Sequence, residues 1–281
     1  TKVFLLLSGK NDFEMLVNKF REAGINNVKI SAGYRLSYPD EKLFTFYLDE
    51  FETKLFDLPE GVYTCLIENE DCEEQILTPG MDDEIFSRTK VPMTKNEVRV
   101  LSISRLELTK KAVVYDVGSG TGSVSAECAR LSHDIVVFAI EQKEEAANLT
   151  KENAARLGLS DQIVVINKKA PEGFEELPTP THVFIGGSSG VLSDILSAIQ
   201  KKLIVKENTK GVRVVINAVS LETIAQITKL IQTYPVKHVQ LTQIQASRAH
   251  KLGSYNLMQA QNPVLIASFN LLPDDKMEAD E

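Results

Sequence analysis

A glycine-rich segment between a predicted strand and a predicted helix is the feature that most constrains this chain. The segment Asp116–Gly122 reads DVGSGTG and begins at the end of the apolar run Val113–Val117. Glycine allows a sharp backbone turn and leaves no Cβ between the chain and a ligand. The helix predicted at Val124–Leu131 directs its first N–H groups into that turn. We therefore expect an α/β sheet that binds a ligand at the end of this strand.

Strands and helices alternate regularly after this segment. Strands are predicted at Asp134–Ile140, Ile163–Asn167, His182–Ile185 and Val212–Ile216, and helices at Glu144–Leu157, Val191–Lys201 and Leu221–Thr233. Apolar strands that are each followed by a helix indicate a parallel sheet covered on both faces, a doubly wound Rossmann-like arrangement. Two later strands, Val236–Gln245 and Val264–Asn270, have no long helix between them. We therefore expect an antiparallel edge to the sheet.

The first 67 residues predict a separate small α/β lobe. Short apolar strands surround one amphipathic helix, Asp12–Ala23, with Asn11 or Asp12 as its N-cap and Gly24 as its end. We expect four regions along the chain, namely a small lobe at 1–67, an acidic linker at 68–80, the large domain at 81–273 and an acidic tail at 274–281.

The charge distribution and the cysteine content exclude several classes of protein. The net charge is −8, yet residues 77–273 carry 22 basic and 19 acidic side chains. This mild surplus forms no dense basic stripe, so we expect no nucleic-acid partner. No apolar run reaches the roughly 20 residues that span a bilayer, and the three cysteines have no CxxC spacing. We expect a cytoplasmic protein without a metal site or a membrane partner.

Three classes of ligand use a glycine-rich turn of this kind. A nucleoside triphosphate loop requires Gly-Lys-Ser/Thr, whereas Gly122 is followed by Ser123 and Val124. A dinucleotide fingerprint requires Gly or Ala where Ser123 stands. Glu141 closes the next strand, 19 residues after Gly122, where an acid can accept both hydroxyls of a ribose. The compact motif with its leading acid resembles motif I of class I S-adenosylmethionine-dependent methyltransferases.

Six segments in a fixed order make the resemblance more specific. They are Gly80–Phe86, Val91–Lys95, Asp116–Gly122, Ala170–Glu172, Phe184–Gly190 and Asn217–Val219. Together they resemble the decarboxylating precorrin C-15 methyltransferase family of cobalamin biosynthesis. The first 67 residues, with Leu36–Glu41, are similar to the C-terminal lobe of precorrin C-5 methyltransferases. The two modules are often fused into one C-5,15-methyltransferase.

The resemblance implies a fold, a reaction and a set of ligands. The fold is a class I methyltransferase sheet. The reaction is methylation of a precorrin, a polycarboxylate tetrapyrrole, at C-15 with decarboxylation of the C-12 acetate, and S-adenosyl-L-methionine is the methyl donor. The family also implies a homo-oligomer, a tetramer being one form. The chain begins at Thr1, after the N-terminal lobe that a C-5 enzyme requires, so we expect a fragment without C-5 activity.

Two groups of residues are expected at the site that the resemblance implies. The expected cofactor-binding residues are Thr94, Asp116, Gly118, Ser119, Gly120, Thr121, Gly122, Glu141, Gln142 and Ala170. The expected substrate-binding residues are Gly186, Gly187, Ser188, Ser189 and Arg248. The family has Gly-Asp before Ala170, where this chain has Lys168 and Lys169. We therefore do not expect the family's acidic contact to adenine here.

Local chemistry supports several of these assignments. Thr94 and Glu97 have the spacing of a capping box at a helix that would fold over the cofactor. The small residues of Gly186–Gly190 would let a flat macrocycle lie against backbone N–H groups. Arg248 has a planar fork that can hold one carboxylate in a fixed direction. His250 is beside it and is a candidate proton carrier.

Two other functions fit parts of the sequence. One is a class I methyltransferase that acts on RNA or protein, although the chain lacks an Asn/Asp-Pro-Pro-Tyr/Phe loop and a basic stripe. The other is a non-catalytic docking fragment of a split bifunctional enzyme, in which residues 1–67 form the docking lobe.

Overall fold

The computed structural model describes residues 2–70, 78–205 and 211–274. The chain divides into two compact units, Thr1–Ile76 and Leu77–Glu281. Most of the predicted acidic linker and all but the first residue of the predicted acidic tail lie outside the described residues. Within the described ranges, no helix has the length and apolar character that crossing a membrane requires.

The first unit is an antiparallel sheet with one main helix. Its elements are β1 (Lys2–Leu7), α1 (Lys10–Glu22), β2 (Val28–Tyr34), β3 (Lys42–Tyr47), α2 (Phe51–Lys54) and β4 (Tyr63–Asn69). The strand order is β1-β4-β2-β3. Phe13 and Val17 of α1 are fully buried and pack into the same core as Ile30 and Tyr63. This unit therefore has an apolar core of its own.

The predicted N-cap of helix α1, Asn11 or Asp12, is wrong. The helix begins at Lys10, its N-cap position is Gly9, and no side chain caps it. Asp12 lies inside the first turn, where its Oδ2 accepts hydrogen bonds from the backbone N and the Oγ of Ser8, both at 2.6 Å. The predicted end at Gly24 is correct, because this residue follows the helix with a φ of 69°.

The second unit is a seven-stranded sheet covered by helices on both faces. Its elements are α3 (Asn96–Leu106), β5 (Val113–Val117), α4 (Ser123–Ala129), β6 (Val136–Ile140), α5 (Glu144–Arg156), β7 (Ile163–Ile166), β8 (His182–Ile185), α6 (Leu192–Val205), β9 (Val212–Ala218), α7 (Leu221–Thr233), β10 (Val236–Ile244), β11 (Ser247–Leu252), β12 (Tyr255–Ala260) and β13 (Val264–Leu271). The strand order of the main sheet is β10-β13-β9-β8-β5-β6-β7.

The predicted parallel sheet and its antiparallel edge are confirmed. Strands β9, β8, β5, β6 and β7 pair in parallel. Strand β13 pairs antiparallel with both β9 and β10, so the last strand inserts between two earlier ones. Neighbouring residues of β5 point to opposite faces, with Val114 in one apolar core and Tyr115 in the other. Both faces of each central strand are thereby removed from water.

A hairpin that the sequence did not predict connects β10 to β13. It consists of β11 and β12, which form a two-stranded sheet of their own within the part of the chain that the structure describes. Almost all of its residues are exposed. The segment Ser247–Lys251 has no alternation of apolar and polar residues that would indicate a half-buried strand. The hairpin places Arg248 and His250 on the site described below.

The second unit should fold without the first. Among the described residues, both of its apolar cores are built from positions 81 onward, so neither core draws on residues 1–70. We expect a chain of residues 77–281 to show a cooperative thermal transition with a midpoint close to that of the same unit in the full chain. Circular dichroism and calorimetry of both proteins test this. A non-cooperative transition in the shorter chain would contradict it.

Candidate functional site

Three glycines allow separate backbone segments to meet after β5. Gly118, Gly120 and Gly122 have φ values of 72°, 59° and 74°. A Cβ at Gly118 would lie 2.7 Å from the carbonyl oxygen of Gly187, and a Cβ at Gly120 would lie 2.9 Å from that of Pro92. Other residues would therefore clash with the backbone of the loop after β8 and of the segment before α3. The glycines bring these segments together around one cleft.

The cleft has a volume of about 1350 Å³ and lies at the carboxyl edge of the parallel strands. Strand β5 is flanked by β6 and β8, so the chain reverses its winding direction there, and ligands bind at such switch points. Most of the predicted site residues line the cleft: Thr94, Gly118, Ser119, Gly120, Glu141, Gln142, Ala170, Gly186, Gly187, Ser188, Ser189, Arg248 and His250. The structure therefore brings both predicted groups of residues to one cavity.

Three of the predicted cofactor residues do not line the cleft. Asp116 and Thr121 are buried, and Gly122 packs against Thr150. Asp116 Oδ2 accepts a hydrogen bond of 2.5 Å from Ser125 Oγ, which ties β5 to helix α4. Among the described atoms, Asp116 Oδ1 and Thr121 Oγ1 are buried without a partner. Their role as cofactor contacts stays a prediction. Their observed contacts hold the glycine-rich loop against helices α4 and α5.

Glu141 holds the glycine-rich loop at the cleft wall. Its Oε2 accepts a hydrogen bond of 3.1 Å from the backbone N of Gly120, and its Oε1 accepts one of 2.9 Å from Lys143 N. A carboxylate has about four acceptor positions, so both oxygens can accept further hydrogen bonds. Next to it, Gln142 Nε2 donates to Ser189 Oγ at 2.9 Å. The loops after β6 and β8 are thus joined across the cleft.

The predicted capping box at Thr94 and Glu97 is wrong. Helix α3 begins at Asn96, and its N-cap position is Lys95, without a side-chain hydrogen bond. The backbone carbonyl of Thr94 accepts a hydrogen bond of 2.7 Å from Arg99 Nη1. The carboxylate of Glu97 accepts hydrogen bonds from Arg248 instead of from the helix N-terminus. A long-range ion pair has therefore replaced the local cap.

Arg248 is paired with two carboxylates. Its Nε and Nη2 donate to the two oxygens of Glu97 at 2.8 and 2.6 Å. Its Nη1 donates to Asp83 Oδ2 at 2.8 Å. The side chain lines the cleft but attaches the hairpin β11–β12 to the segment before α3. Its predicted role as the fork for a substrate carboxylate stays a prediction, and two of its five N–H groups are left for it.

A buried arginine of helix α3, whose pairing with two acids the sequence did not predict, holds this part of the cleft together. Arg99 has 0% exposure, and its Nε and Nη1 bind Glu127 Oε1 at 3.0 Å and Asp83 Oδ1 at 3.1 Å. Burial acts to raise the pKa of Asp83, but hydrogen bonds from Arg248 and Arg99 outweigh it and lower the pKa. A sequence shows an arginine in a helix but not the two distant acids that pair with it.

The buried carboxyl group of Asp116 should give the protein a characteristic pH dependence. Burial raises its pKa from 3.8 to about 6. Between these values the folded state binds more protons than the unfolded state, so stability falls as the pH rises. In Asp116→Asn this contribution is absent. We expect the unfolding free energy of wild type, relative to that of the variant, to fall by about 2 kcal/mol from pH 4 to pH 7.

Urea denaturation of both proteins at each pH measures this difference. The comparison removes the contributions of the other carboxylates, because they are present in both proteins. A difference that stays constant from pH 4 to pH 7 would mean that Asp116 titrates normally in the folded protein.

A family model described as a precorrin methyltransferase domain matches residues 84–270. A relative from Pyrobaculum calidifontis, named "Probable cobalt-precorrin-6B C(15)-methyltransferase (decarboxylating)", is 39% identical over 67% of this chain and 94% of its own. Its counterpart from Saccharolobus solfataricus, with the same name, is 33% identical over 70% of this chain and 98% of its own.

Solved structures agree with the sequence relatives. A precorrin-6Y C5,15-methyltransferase structure from Geobacter metallireducens is 30% identical, covers 69% of this chain and 96% of its own, and has a TM-score of 0.62. A precorrin 8W decarboxylase from Methanobacterium thermoautotrophicum is 31% identical, covers 68% and 100%, and has a TM-score of 0.61. A more distant O-methyltransferase from Thermotoga maritima, 16% identical with a TM-score of 0.56, shares the fold. The chain belongs to the precorrin methyltransferase family.

Proposed function

We propose that this chain methylates a precorrin at C-15, with S-adenosyl-L-methionine as the donor, and decarboxylates the C-12 acetate, as a step of cobalamin biosynthesis. The observation that carries the proposal is that both predicted groups of residues line one cleft of about 1350 Å³ in a member of this family. Pockets for one small molecule usually measure 300–1000 Å³. A larger cleft at the switch point suits a cofactor and a macrocycle together.

The residues of the cleft fit an adenosyl cofactor. Gly118 and Gly120 line the cleft, and the absence of a Cβ at each lets the neighbouring backbone of Gly187 and Pro92 close around it. Glu141 is only 8% exposed at the cleft wall, where acceptor positions on its carboxylate can take the hydroxyls of a ribose. Gln142, Thr94 and Ala170 line the same cleft. S-adenosyl-L-methionine supplies an activated methyl group on a sulfonium.

The work of the protein is mainly orientation. The backbone contacts at Gly118 and Gly120 fix the glycine-rich loop, and the Gln142–Ser189 hydrogen bond fixes the distance between the loops after β6 and β8. Correct placement of two reacting groups replaces much of the entropy that a collision in solution would lose. Gly186 and Gly187 add small residues to the wall on which a flat substrate would lie. His250 lines the cleft, and its role as proton carrier stays a prediction.

The other expectations about assembly stay predictions. They are the homo-oligomeric state and the likeness of the first unit to the C-terminal lobe of a C-5 methyltransferase. If the first unit is one lobe of a C-5 enzyme whose other lobe is missing, the chain should transfer one methyl group per substrate and none to C-5. The assay below also tests this.

The cofactor assignment is tested at Gly120. Valine there places side-chain atoms against the carbonyl oxygen of Pro92 and so displaces the glycine-rich loop from the segment before α3. We expect S-adenosyl-L-methionine affinity, measured by calorimetry, to fall at least about tenfold, since both contact and loop position are lost. Gly158→Val is the matched control, because Gly158 has a similar φ of 67° and open space around its Cβ. Unchanged affinity in a folded Gly120→Val protein would disprove the assignment.

The reaction is tested with labelled cofactor and a substrate labelled at the C-12 acetate carboxyl. Two substrates are supplied separately. They are cobalt-precorrin-6B, which appears in the names of the relatives, and its metal-free form. We expect one methyl group transferred and one carbon dioxide released per molecule of at least one of the two. No methyl transfer to either, or transfer to RNA or protein instead, would contradict the proposed function. A second methyl group would show that C-5 activity is present.

A further inference from the structure

The hairpin β11–β12 forms one wall of the cleft without belonging to the main sheet. The residues that line the cleft from it are Arg248, Ala249, His250, Gln259 and Ala260. The hairpin leaves the sheet between β10 and β13, at the end opposite to β6 and β7. Glu141, Gln142 and Ala170, which we assign to the cofactor, follow β6 and β7. The hairpin is therefore the wall on the far side of the sheet from these residues.

One side chain attaches the hairpin to the rest of the second unit. Arg248 is half-buried, whereas every other residue of β11 and β12 is exposed. Within the described ranges, the hydrogen bonds from these strands to other parts of the chain are the three that Arg248 donates to Glu97 and Asp83. A two-stranded hairpin without a packed face is marginally stable in water. The position of this wall therefore depends on Arg248.

Asp83, one acceptor of Arg248, has a fixed position. It is 3% exposed, and its Oδ1 accepts hydrogen bonds from Asn96 N and Arg99 Nη1, both at 3.1 Å. Its Oδ2 accepts from Arg248 at 2.8 Å, and Lys95 Nζ lies farther from the same oxygen, at 3.8 Å. Asp83 thus ties the hairpin to helix α3. A substitution of Asp83 would also remove a partner of the buried Arg99.

Glu97, the other acceptor, can be changed without this complication. It lies in the first turn of α3, and both of its carboxylate oxygens accept from Arg248. These hydrogen bonds hold the pKa of Glu97 below its ordinary value, so both partners are charged at neutral pH. Glu97 and Asp83 do not line the cleft, whereas Arg248 does. A change at Glu97 therefore reaches the cleft through Arg248.

We infer, on the basis of the proposed function, that Glu97 and Asp83 are positioning residues for the precorrin. They hold Arg248, and with it the hairpin, as a fixed wall against which the macrocycle binds. A wall that is ordered before binding loses less conformational entropy when the substrate arrives, so the substrate binds more tightly. The ion pair then serves substrate binding without any contact between its acids and the substrate.

This role and the predicted role of Arg248 as a carboxylate fork have opposite consequences at Glu97. If Arg248 binds a substrate carboxylate directly, loss of Glu97 frees N–H groups for it, and the KM for the precorrin falls. If Arg248 holds the hairpin, loss of Glu97 loosens the wall, and the KM rises. Removal of Arg248 itself raises the KM in both cases. Glu97 is therefore the position that distinguishes the two roles.

Backbone hydrogen exchange of residues 247–260, without substrate, tests the attachment. In Glu97→Ala we expect exchange of this segment to be about two- to tenfold faster than in wild type, because a half-exposed ion pair is lost. Arg248→Ala should show at least the same increase. Glu84→Ala is the matched control and should exchange as wild type does. Glu84 is exposed next to Asp83, does not line the cleft and makes no ion pair with a described residue.

Kinetics at saturating S-adenosyl-L-methionine test the role in substrate binding. The KM for the precorrin should rise about two- to tenfold in Glu97→Ala. Glu97→Gln, which keeps one acceptor oxygen for Arg248, should give a smaller rise. Adding Glu97→Ala to Arg248→Ala should raise the KM no further, because Glu97 acts through Arg248. Glu84→Ala should have the KM of wild type.

The two measurements separate this inference from the proposed function. Unchanged exchange in Glu97→Ala overturns the attachment, whether or not the chain methylates a precorrin. Faster exchange with a lowered or unchanged KM overturns the positioning role and favours the carboxylate fork. Failure of wild type to transfer methyl to a precorrin contradicts the proposed function, and with it the role of the ion pair in substrate binding, while exchange still decides the attachment.

Discussion

The close approach of three backbone segments after β5 is the constraint on which the second unit depends. The loop after β8 and the segment before α3 both lie within contact distance of positions where only glycine fits, at Gly118 and Gly120. With any side chain there, the two segments would be displaced and the cleft would lose its floor. Local backbone freedom at two positions therefore sets the geometry of a cavity lined by residues from 88 to 264.

Periodicity and glycine chemistry predicted most of the fold. Strand β8 and helix α7 have the predicted bounds. The antiparallel edge is formed by the two late strands between which the sequence has no long helix, as predicted. These features are local, because apolar spacing and turn residues are visible within one window of sequence. The hairpin β11–β12 was missed because its exposed strands have no buried face and so no alternating pattern.

The site was predictable where it depends on backbone and not where it depends on distant ion pairs. The residues at strand ends, such as Glu141 and Gly187, reach the cleft as expected. Arg248 also reaches it, but its fork is paired with acids 151 and 165 residues away. The partners of Arg99 are separated from it in the same way, by 28 and 16 residues. Pairing over such separations follows from the tertiary fold, and no sequence window contains it.

The position of β13 inside the sheet has a consequence for folding during synthesis. This strand is made after β9 and β10, yet it is the one that joins them. Until it is available, β9 has an open edge and β10 has no partner in the main sheet. Pairings of such high sequence separation form slowly and leave strand edges exposed. A nascent second unit can therefore complete its parallel strands early, whereas the wall of the cleft that carries Arg248 must wait until β13 has been synthesised.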